Sequence, residues 1–300
     1  MAKVILTVIL IILILVTAFF ACITYLNFFS QPVNFKISYK NEVNIINIKP
    51  TEQFYPNMRF PDTKMSYKIE SMCDKQKTNA MISAFKIISE KVNLTFYEAE
   101  TPEIDITCSE EYQKEDYFVA GEGGPSKILN SELFSVILEG KIILLYSGEC
   151  PGNVALHELL HVLGFNHSSD KNNIMYLITS CNQKISNDMI NELKTIYSFP
   201  SLPDLYFENV TASKKGIYLN IDFIIRNQGL SSSKNTTVVL YADDKEIKNF
   251  DLKEVEISAG KIISAENIRI SYGAKLLKLV ILNGEELNMD NNQINLTLAS

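Results

Sequence analysis

The sequence of 300 residues contains no tryptophan and only three histidines. All three, His157, His161 and His167, fall within one short segment. A protein that used histidine for general surface or core purposes would scatter it along the chain, so this grouping indicates one shared task. The sequence also lacks internal repeats, and it has no low-complexity tract beyond an N-terminal apolar run, which argues against repeat architectures.

The chain also has no large excess of charge of either sign, since 28 basic and 35 acidic side chains leave a net charge of -7. Proteins that bind nucleic acid typically carry a strongly basic surface, so we expect no nucleic-acid partner. The apolar fraction of 46% excludes wholesale disorder. The length suits about two domains of ~150 residues each.

Residues 4–29 form a strongly apolar run without a charged side chain. A helix of this length can cross the ~30 Å hydrocarbon layer of a membrane, whereas the apolar part of a cleaved signal peptide is usually only ~7–15 residues. Lys3 is the only charged residue before the run, so the bulk of the chain is expected outside the cytoplasm. We therefore predict a single-pass transmembrane helix that contacts the membrane through residues 4–29, with secretion after signal cleavage as the alternative.

Four cysteines lie outside the apolar run, at Cys73, Cys108, Cys150 and Cys181. An even number in an exported protein predicts two disulfides. Three pairings are open, and four reduced thiols remain the alternative. Pairing Cys150 with Cys181 would join the two flanks of the histidine segment, and pairing Cys73 with Cys108 would close the preceding half.

The chain divides into four predicted segments. Residues 1–29 are the membrane anchor or signal sequence, and residues 30–58 are a connector. Residues 59–199 mix helical and strand patterns, which predicts an α+β domain. Residues 200–300 follow a proline-containing linker and contain about seven short alternating strands, which predicts an all-β sandwich of the immunoglobulin-like type.

The histidine segment has the spacing of a metal site on a helix. His157 and His161 are four residues apart and stand on one helix face, where two imidazoles can bind one Zn²⁺ ion. Gly164 can adopt a positive φ and end the helix, so that the chain returns His167 as a third ligand. Three protein ligands leave the fourth position open, which is typical of a catalytic zinc.

Glu158 is offset from the two helical ligands but lies near enough to reach solvent at the ion. In the predicted mechanism zinc lowers the pKa of a water molecule to about 7, and Glu158 takes its proton and delivers it to the leaving amine. Three alternatives remain: a metal-free helix, a zinc-binding but inactive domain, and a structural zinc that takes Cys150 or Cys181 as its fourth ligand.

The pattern His-Glu-x-x-His-x-x-Gly-x-x-His, followed by Met175, resembles the metzincin signature. Ser168 after the third histidine and the closing helix at 185–190 are similar to the matrixin branch. The resemblance implies a zinc-dependent endopeptidase of the zincin fold, in which Met175 forms an apolar floor under the imidazoles. It further implies that a peptide substrate binds extended along an edge strand, with the segment 177–179 beside the zinc.

Two matrixin features are missing from this sequence. There is no propeptide cysteine motif to block the zinc, and no further histidine remains to hold a second, structural zinc. Ca²⁺ is a candidate cofactor at Gly121–Gly124 and nearby acidic residues, with a plain loop as the alternative.

Three short motifs of the C-terminal segment, at 203–205, 226–229 and 290–292, resemble the cell-adhesion-related (CARDB) domain of surface proteins. The resemblance implies an immunoglobulin-like fold that binds surface polymers or substrate proteins, or that serves as a spacer. The sequence thus predicts a metalloendopeptidase that acts on extracellular or cell-surface proteins. The alternative is a surface binding or adhesion protein with an inactive metzincin-like domain.

Overall fold

The computed structural model describes residues 2–29, 33–39, 52–109, 112–114, 117–145 and 149–298. These residues contain four helices. They are α1 (Ala2–Phe29), α2 (Lys75–Lys91), α3 (Pro151–Val162) and α4 (Asn187–Ile196). The same residues contain sixteen strands.

The first nine strands come before α3 in the chain. They are β1 (Val33–Tyr39), β2 (Met58–Arg59), β3 (Lys64–Ile69), β4 (Thr95–Glu98), β5 (Ile104–Cys108), β6 (Tyr112–Lys114), β7 (Tyr117–Val119), β8 (Gly121–Asn130) and β9 (Ser135–Leu144). The remaining seven follow α4. They are β10 (Leu205–Lys215), β11 (Tyr218–Asn227), β12 (Thr236–Ala242), β13 (Lys245–Lys253), β14 (Gly260–Arg269), β15 (Leu276–Leu282) and β16 (Gln293–Leu298).

Capping side chains mark the start of two of the helices. Asp74 precedes α2 and its carboxylate accepts the backbone N–H of Lys77, and Ser186 caps α4 in the same way through the N–H of Met189. Each cap satisfies a donor that the first turn of a helix leaves without an intrahelical partner. The apolar face of α2, which includes Met81 and Ile88, is buried in the core.

One sheet underlies the histidine segment. Strands β9, β5, β3 and β4 are parallel neighbours in that order, and β2 pairs with the start of β9. Strand β8 runs antiparallel along the opposite edge of β9 and is an edge strand of the described sheet. Helices α2 and α3 pack with this sheet around one apolar core.

The C-terminal strands form a second sheet with eight members, in the order β13, β12, β15, β16, β1, β10, β11 and β14. Strand β1, which lies in the segment predicted as a connector, pairs with β10 through Val33 and Asn34 and with β16 through 35–39. The two outermost strands, β13 and β14, approach each other. The sheet is therefore a nearly closed barrel.

This architecture overturns the predicted fold class in two respects. The described chain is mostly β, rather than an α+β domain followed by a separate sandwich. An immunoglobulin-like sandwich needs two distinct sheets, and here β1 joins the two halves into one continuous sheet. The strands themselves were predicted, but the strand that unites them lies far away in sequence.

The predicted N-terminal transmembrane helix is also wrong. Among the described residues no helix is long and apolar enough to cross a membrane. The predictions of membrane contact through residues 4–29 and of a single-pass location fall with it.

Arg59 joins the linker after α4 to the first sheet. Its guanidinium is fully buried, lies over the ring of Tyr197 at 4.5 Å and donates to backbone carbonyls on both sides of it. The acceptors are the carbonyl oxygens of Phe60, Pro61, Ile196 and Phe199. A small apolar cluster then connects the first sheet to the barrel, where Phe134 and Val136 pack with Leu230.

Candidate metal centre

Helix α3 carries two of the three histidines and the glutamate. His157, Glu158 and His161 are all buried, and so are the apolar residues between them. The ring centroids of His157 and His161 are 4.6 Å apart, as expected for side chains one helical turn from each other. The helix therefore presents two imidazoles at one place.

Gly164 lets the chain leave the helix sharply. Its φ of +99° is unfavourable for any residue with a side chain, and a Cβ there would lie 2.8 Å from Cγ of Met58. The N–H of Gly164 donates to the carbonyl of His161 at 2.9 Å, which closes the last turn. Both conformation and space thus require glycine at this position.

An extended segment at 52–54 holds the chain that leads to His167. The N–H of Phe54 donates to the carbonyl of Gly164 at 2.8 Å, and the N–H of Asn166 donates to the carbonyl of Glu52 at 2.6 Å. The Phe54 ring also stacks on His161, with 5.8 Å between ring centroids. The hydroxyl of Ser168 donates to Oε1 of Glu52 at 2.9 Å.

The three imidazoles converge. One ligand atom from each of His157, His161 and His167 lies within 4.8 Å of the others. Nδ1 of His157 is 2.7 Å from the carbonyl oxygen of Ile174, and Nδ1 of His161 is 2.7 Å from that of Phe165. Because a carbonyl only accepts, both Nδ1 atoms carry the hydrogen and both Nε2 atoms keep a lone pair.

This donor set fits zinc. Nε2 of His161 lies 3.2 Å from Nε2 of His167, so two nitrogen atoms face each other where a shared cation would satisfy both. The carbonyl partners of the Nδ1 atoms fix the rings in the orientation that metal-binding histidines use. A set of three imidazoles suits Zn²⁺ and leaves a fourth position for solvent.

The surroundings also favour the neutral imidazole, the form that binds a metal. Burial lowers the pKa of His157, and burial together with the neighbouring His157 lowers the pKa of His161 to about 4. Burial likewise lowers the pKa of His167, which is the most exposed of the three.

Glu158 lies in a strongly desolvated position. Only 5% of the residue is exposed, and burial, with a smaller contribution from the charge of Glu122, raises its pKa to about 8. Its side chain rests against strand β8 at Gly121, where an added Cβ would lie 2.8 Å from Cγ of Glu158. The carboxyl group is thus confined between helix and strand.

Met175 is fully buried in the turn that follows the third histidine. Its N–H donates to Oδ1 of Asn173 at 2.9 Å, and its carbonyl accepts the N–H of Ser168 at 2.8 Å. The preceding residue, Ile174, is the one whose carbonyl holds His157. The turn therefore supports the centre through the backbone carbonyl of Ile174, and the side chain of Met175 belongs to the apolar core of the first sheet.

Two disulfides are present. Cys150 pairs with Cys181 and so connects the start of α3 with the segment after Met175. Cys73 pairs with Cys108 and connects the residues before α2 with the end of β5. Of the three open pairings, the structure therefore contains the one in which a covalent link closes around the histidine segment.

The residues considered for calcium lie in a strand. Gly121–Gly124 form the start of β8 and do not belong to a loop. Across the described ranges, the three histidines form the one group of three or more His, Cys, Asp or Glu side chains with metal-binding proximity. Sequence reasoning also missed the contribution of residues 52–54 and of β8. A Gly-x-Gly pattern at 121–123, which is typical of a close approach by another part of the chain, was the available signal for β8.

Taken together, these features define a class: a centre of three histidines, two of them on a helix beside a buried glutamate. Comparison with protein families agrees, because the family model described as Matrixin matches residues 151–198. The matched segment is less than half of the chain, so the likeness is established only for the part that carries the centre and helix α4. No curated protein matches the chain.

Two solved structures each resemble about a third of the chain. One is a solution structure of the CARDB domain of the PF1109 protein from Pyrococcus furiosus, with 17% identity, a TM-score of 0.29, and coverage of 32% of this chain and 94% of that one. The other is a crystal structure of that domain in complex with di-metal ions, with 18% identity, a TM-score of 0.27, and coverage of 33% and 90%. Both are likenesses only.

Proposed function

We propose that this chain is a zinc-dependent endopeptidase whose metal ligands are His157, His161 and His167 and whose proton carrier is Glu158. The observation that carries the proposal is the convergence of three imidazoles, two of them held by backbone carbonyls so that Nε2 remains free. The Matrixin match over the same helix supports it.

Zinc at this position would act as a Lewis acid that polarises the scissile carbonyl and acidifies water. The carboxylate of Glu158 accepts the proton of the attacking water and later releases it to the amine of the leaving peptide. Burial of Glu158 suits the proton-accepting step, because a carboxylate whose pKa is raised by burial is a stronger base than one in water.

The substrate is proposed to be an extended polypeptide. Strand β8 has one edge without a partner strand in the described sheet, and an extended peptide could add to that edge by backbone pairing. Leu177 and Ile178 follow the Met175 turn and are 69% and 56% exposed. Large apolar side chains exposed next to a metal centre favour an apolar substrate residue there.

The disulfides bear on where such substrates are met. Disulfides form and persist in oxidising compartments, and this chain contains two of them. The proposal therefore includes exported or surface proteins as substrates. A binding protein with an inactive centre is the competing function, and the intact, buried Glu158 speaks against it.

Metal content and cleavage, measured on the full chain, test the proposal. Purified protein is expected to contain one zinc ion per chain, to cleave a denatured protein substrate, and to lose both zinc and activity to a chelator, with recovery on adding zinc. Absence of stoichiometric zinc would refute the metal centre. Full zinc occupancy without cleavage of any peptide in a diverse library would leave the binding protein as the better description.

A further inference from the structure

Strand β8 passes unusually close to helix α3 at two glycines. A Cβ built on Gly121 would meet the side chain of Glu158, at 2.8 Å from Cγ and 2.9 Å from Oε1. A Cβ built on Gly123 would meet the backbone of the same residue, at 2.5 Å from its carbonyl oxygen and 2.9 Å from Cα. Contacts below 3.0 Å cannot be tolerated without movement, so a side chain at either position requires part of Glu158 to shift.

Glycine is needed at 121 and 123 because there is no room for a side chain, and not because the backbone has an unusual conformation. The positive-φ glycines of the described chain are Gly164 and Gly216, and neither belongs to β8. Gly121 and Gly123 pair regularly with Leu144 and Ile142 of β9, so their backbones are ordinary extended strand. Glycine within a strand weakens it and is typical of a site where another part of the chain approaches closely.

We propose that Gly121 and Gly123 are positioning residues for Glu158, with separate tasks: Gly121 sets where the carboxylate lies, and Gly123 sets how closely helix α3 approaches the strand. The first part rests on the proposed peptidase function, because only then does the place of the carboxylate matter for catalysis. The second part concerns His157 and His161, which share helix α3 with Glu158, and it holds whether or not the centre is catalytic.

The two tasks follow from which atoms each glycine faces. At Gly121 the obstructed atoms belong to the flexible end of a side chain, so a methyl group would displace the carboxylate and leave the helix in place. At Gly123 the obstructed atoms are backbone, so a methyl group would push the helix itself and with it His157 and His161. Gly124, in the same strand, has no heavy atom within 4 Å of the place that a methyl group would occupy, and it is the matched control.

Three alanine variants of the full chain separate these effects. Gly121→Ala is expected to lower kcat roughly 10- to 100-fold with KM, zinc affinity and melting temperature unchanged, since small misplacements of a reacting group cost about this much. Gly123→Ala is expected to weaken zinc binding, measured by competition with a chelator, and to lower the melting temperature of the zinc-free protein. Gly124→Ala should match the unmodified protein in zinc affinity and melting temperature, the two measurements that report the position of the helix.

A double variant shows whether Gly121 acts through the carboxylate. In a Glu158→Gln background, Gly121→Ala should cause no further loss of the residual rate, because residues that act as one unit are not additive. A crystal structure of Gly121→Ala should show the Glu158 carboxylate displaced and helix α3 unmoved.

The outcomes distinguish this proposal from the peptidase function. If the unmodified chain cleaves its substrate but Gly121→Ala keeps full kcat, or loses stability as Gly123→Ala does, the positioning of the carboxylate by Gly121 is overturned alone. If no substrate is cleaved, the peptidase function fails, while the crystal structure of Gly121→Ala and the zinc affinity of Gly123→Ala still decide the steric claim. Unchanged zinc affinity in Gly123→Ala would overturn the part that concerns the helix.

Discussion

At the scale of single residues, the centre depends on groups whose freedom has been removed. The rings of His157 and His161 each have one nitrogen tied to a backbone carbonyl, so they cannot rotate without breaking a buried hydrogen bond. Glu158 is confined between its own helix and the two glycines of strand β8, Gly121 and Gly123. Such restraint lowers the entropic cost of bringing these groups into position around a bound ligand.

Replacing Glu158 by glutamine removes the proton acceptor and keeps the shape. We expect kcat to fall by roughly 10²- to 10⁴-fold, the range that general acid–base catalysis supplies. Zinc content, measured by atomic absorption, should stay at the level of the unmodified protein, because Glu158 is not one of the three converging ligands. An enzyme that retains full activity after this change would have another proton carrier.

Gly164 can be tested against a second glycine of the same chain. Gly164 has φ +99° and no room for a Cβ, whereas Gly216 has φ +63° and open space around that position. Gly216→Ala should destabilise the fold by only about 1 kcal/mol, the cost of a left-handed residue with a side chain. Gly164→Ala should cost about 1–3 kcal/mol or more and also weaken zinc binding.

Urea unfolding of the zinc-free variants and zinc competition on the folded ones measure the two effects. Equal losses of stability and of zinc affinity in the two variants would mean that the turn after α3 does not determine the position of His167.

The residues of the centre were readable from the sequence, whereas their supports were not. His157, His161, His167 and Gly164 follow from helical period and from the need to end a helix, both of which are local properties. Phe54 and Gly121 act on the same site from far away in sequence. Their contribution depends on chain paths that no local pattern encodes.

At the scale of elements, helix α3 is anchored at both ends by different means. Its start follows Cys150, which is joined to Cys181, and its end is the Gly164 turn, which is held by the segment 52–54. Because the disulfide connects the helix to the segment after the Met175 turn, it links the two pieces of chain whose contact orients His157. The other disulfide lies between β5 and the residues before α2.

The two disulfides should therefore differ in their effect on the centre. Replacing Cys150 and Cys181 by serine, or Cys73 and Cys108 by serine, should each lower the free energy of unfolding by about 2–4 kcal/mol, since the sequence separations of 31 and 35 residues are similar. Zinc affinity should fall in the first variant and remain near that of the unmodified protein in the second. A reversed order would show that the first disulfide does not support the centre.

Local signals account for the helix starts that the sequence marks. Asp74 and Ser186 have side-chain oxygens that suit the start of a helix, and they cap α2 and α4. Strand β8 was not predicted, because a run containing Gly121, Gly123, Gly124 and Pro125 has low strand propensity. Pairing with β9 and contact with α3 override that propensity.

At the scale of the whole molecule, two buried carboxyl groups lie where the linker enters the barrel. Asp204 accepts hydrogen bonds from Gln228 and Asn291, and Glu286 accepts them from Asn292 and from the N–H of Leu205. Burial nevertheless raises the pKa of Asp204 to about 6 and that of Glu286 to about 7. The folded state therefore holds protons that the unfolded chain releases at lower pH.

Stability should fall with rising pH through this region. A carboxyl group whose pKa is higher in the folded state stabilises the fold fully below its unfolded pKa, and this contribution is lost as pH rises through the folded value. We expect the urea midpoint to decrease between about pH 5 and pH 8, the range that brackets the two raised pKa values. Because Glu158 and the histidines also titrate, the informative comparison is with Glu286→Gln, whose midpoint should depend less steeply on pH. Parallel profiles for the two proteins would contradict the assignment to Glu286.

The arrangement of the whole molecule was the hardest part to predict. The barrel strands carry a clear two-residue period, so residues 205–298 were correctly expected to be β-rich. The closure of these strands into one sheet depends on β1, and the whole of the first sheet lies between β1 and β10 in the sequence. Pairing over such a separation leaves no periodic signal in either partner.

The position of β1 has a consequence for biosynthesis. Its neighbours in the sheet are β10 and β16, so one of the earliest strands to leave the ribosome must wait for one of the latest. The first sheet and the helices that pack with it emerge in between and can fold while β1 still has no partner. The first sheet is thus inserted between two neighbouring strands of the barrel. The histidine centre can form during translation, whereas the barrel can close only after β16 has been synthesised.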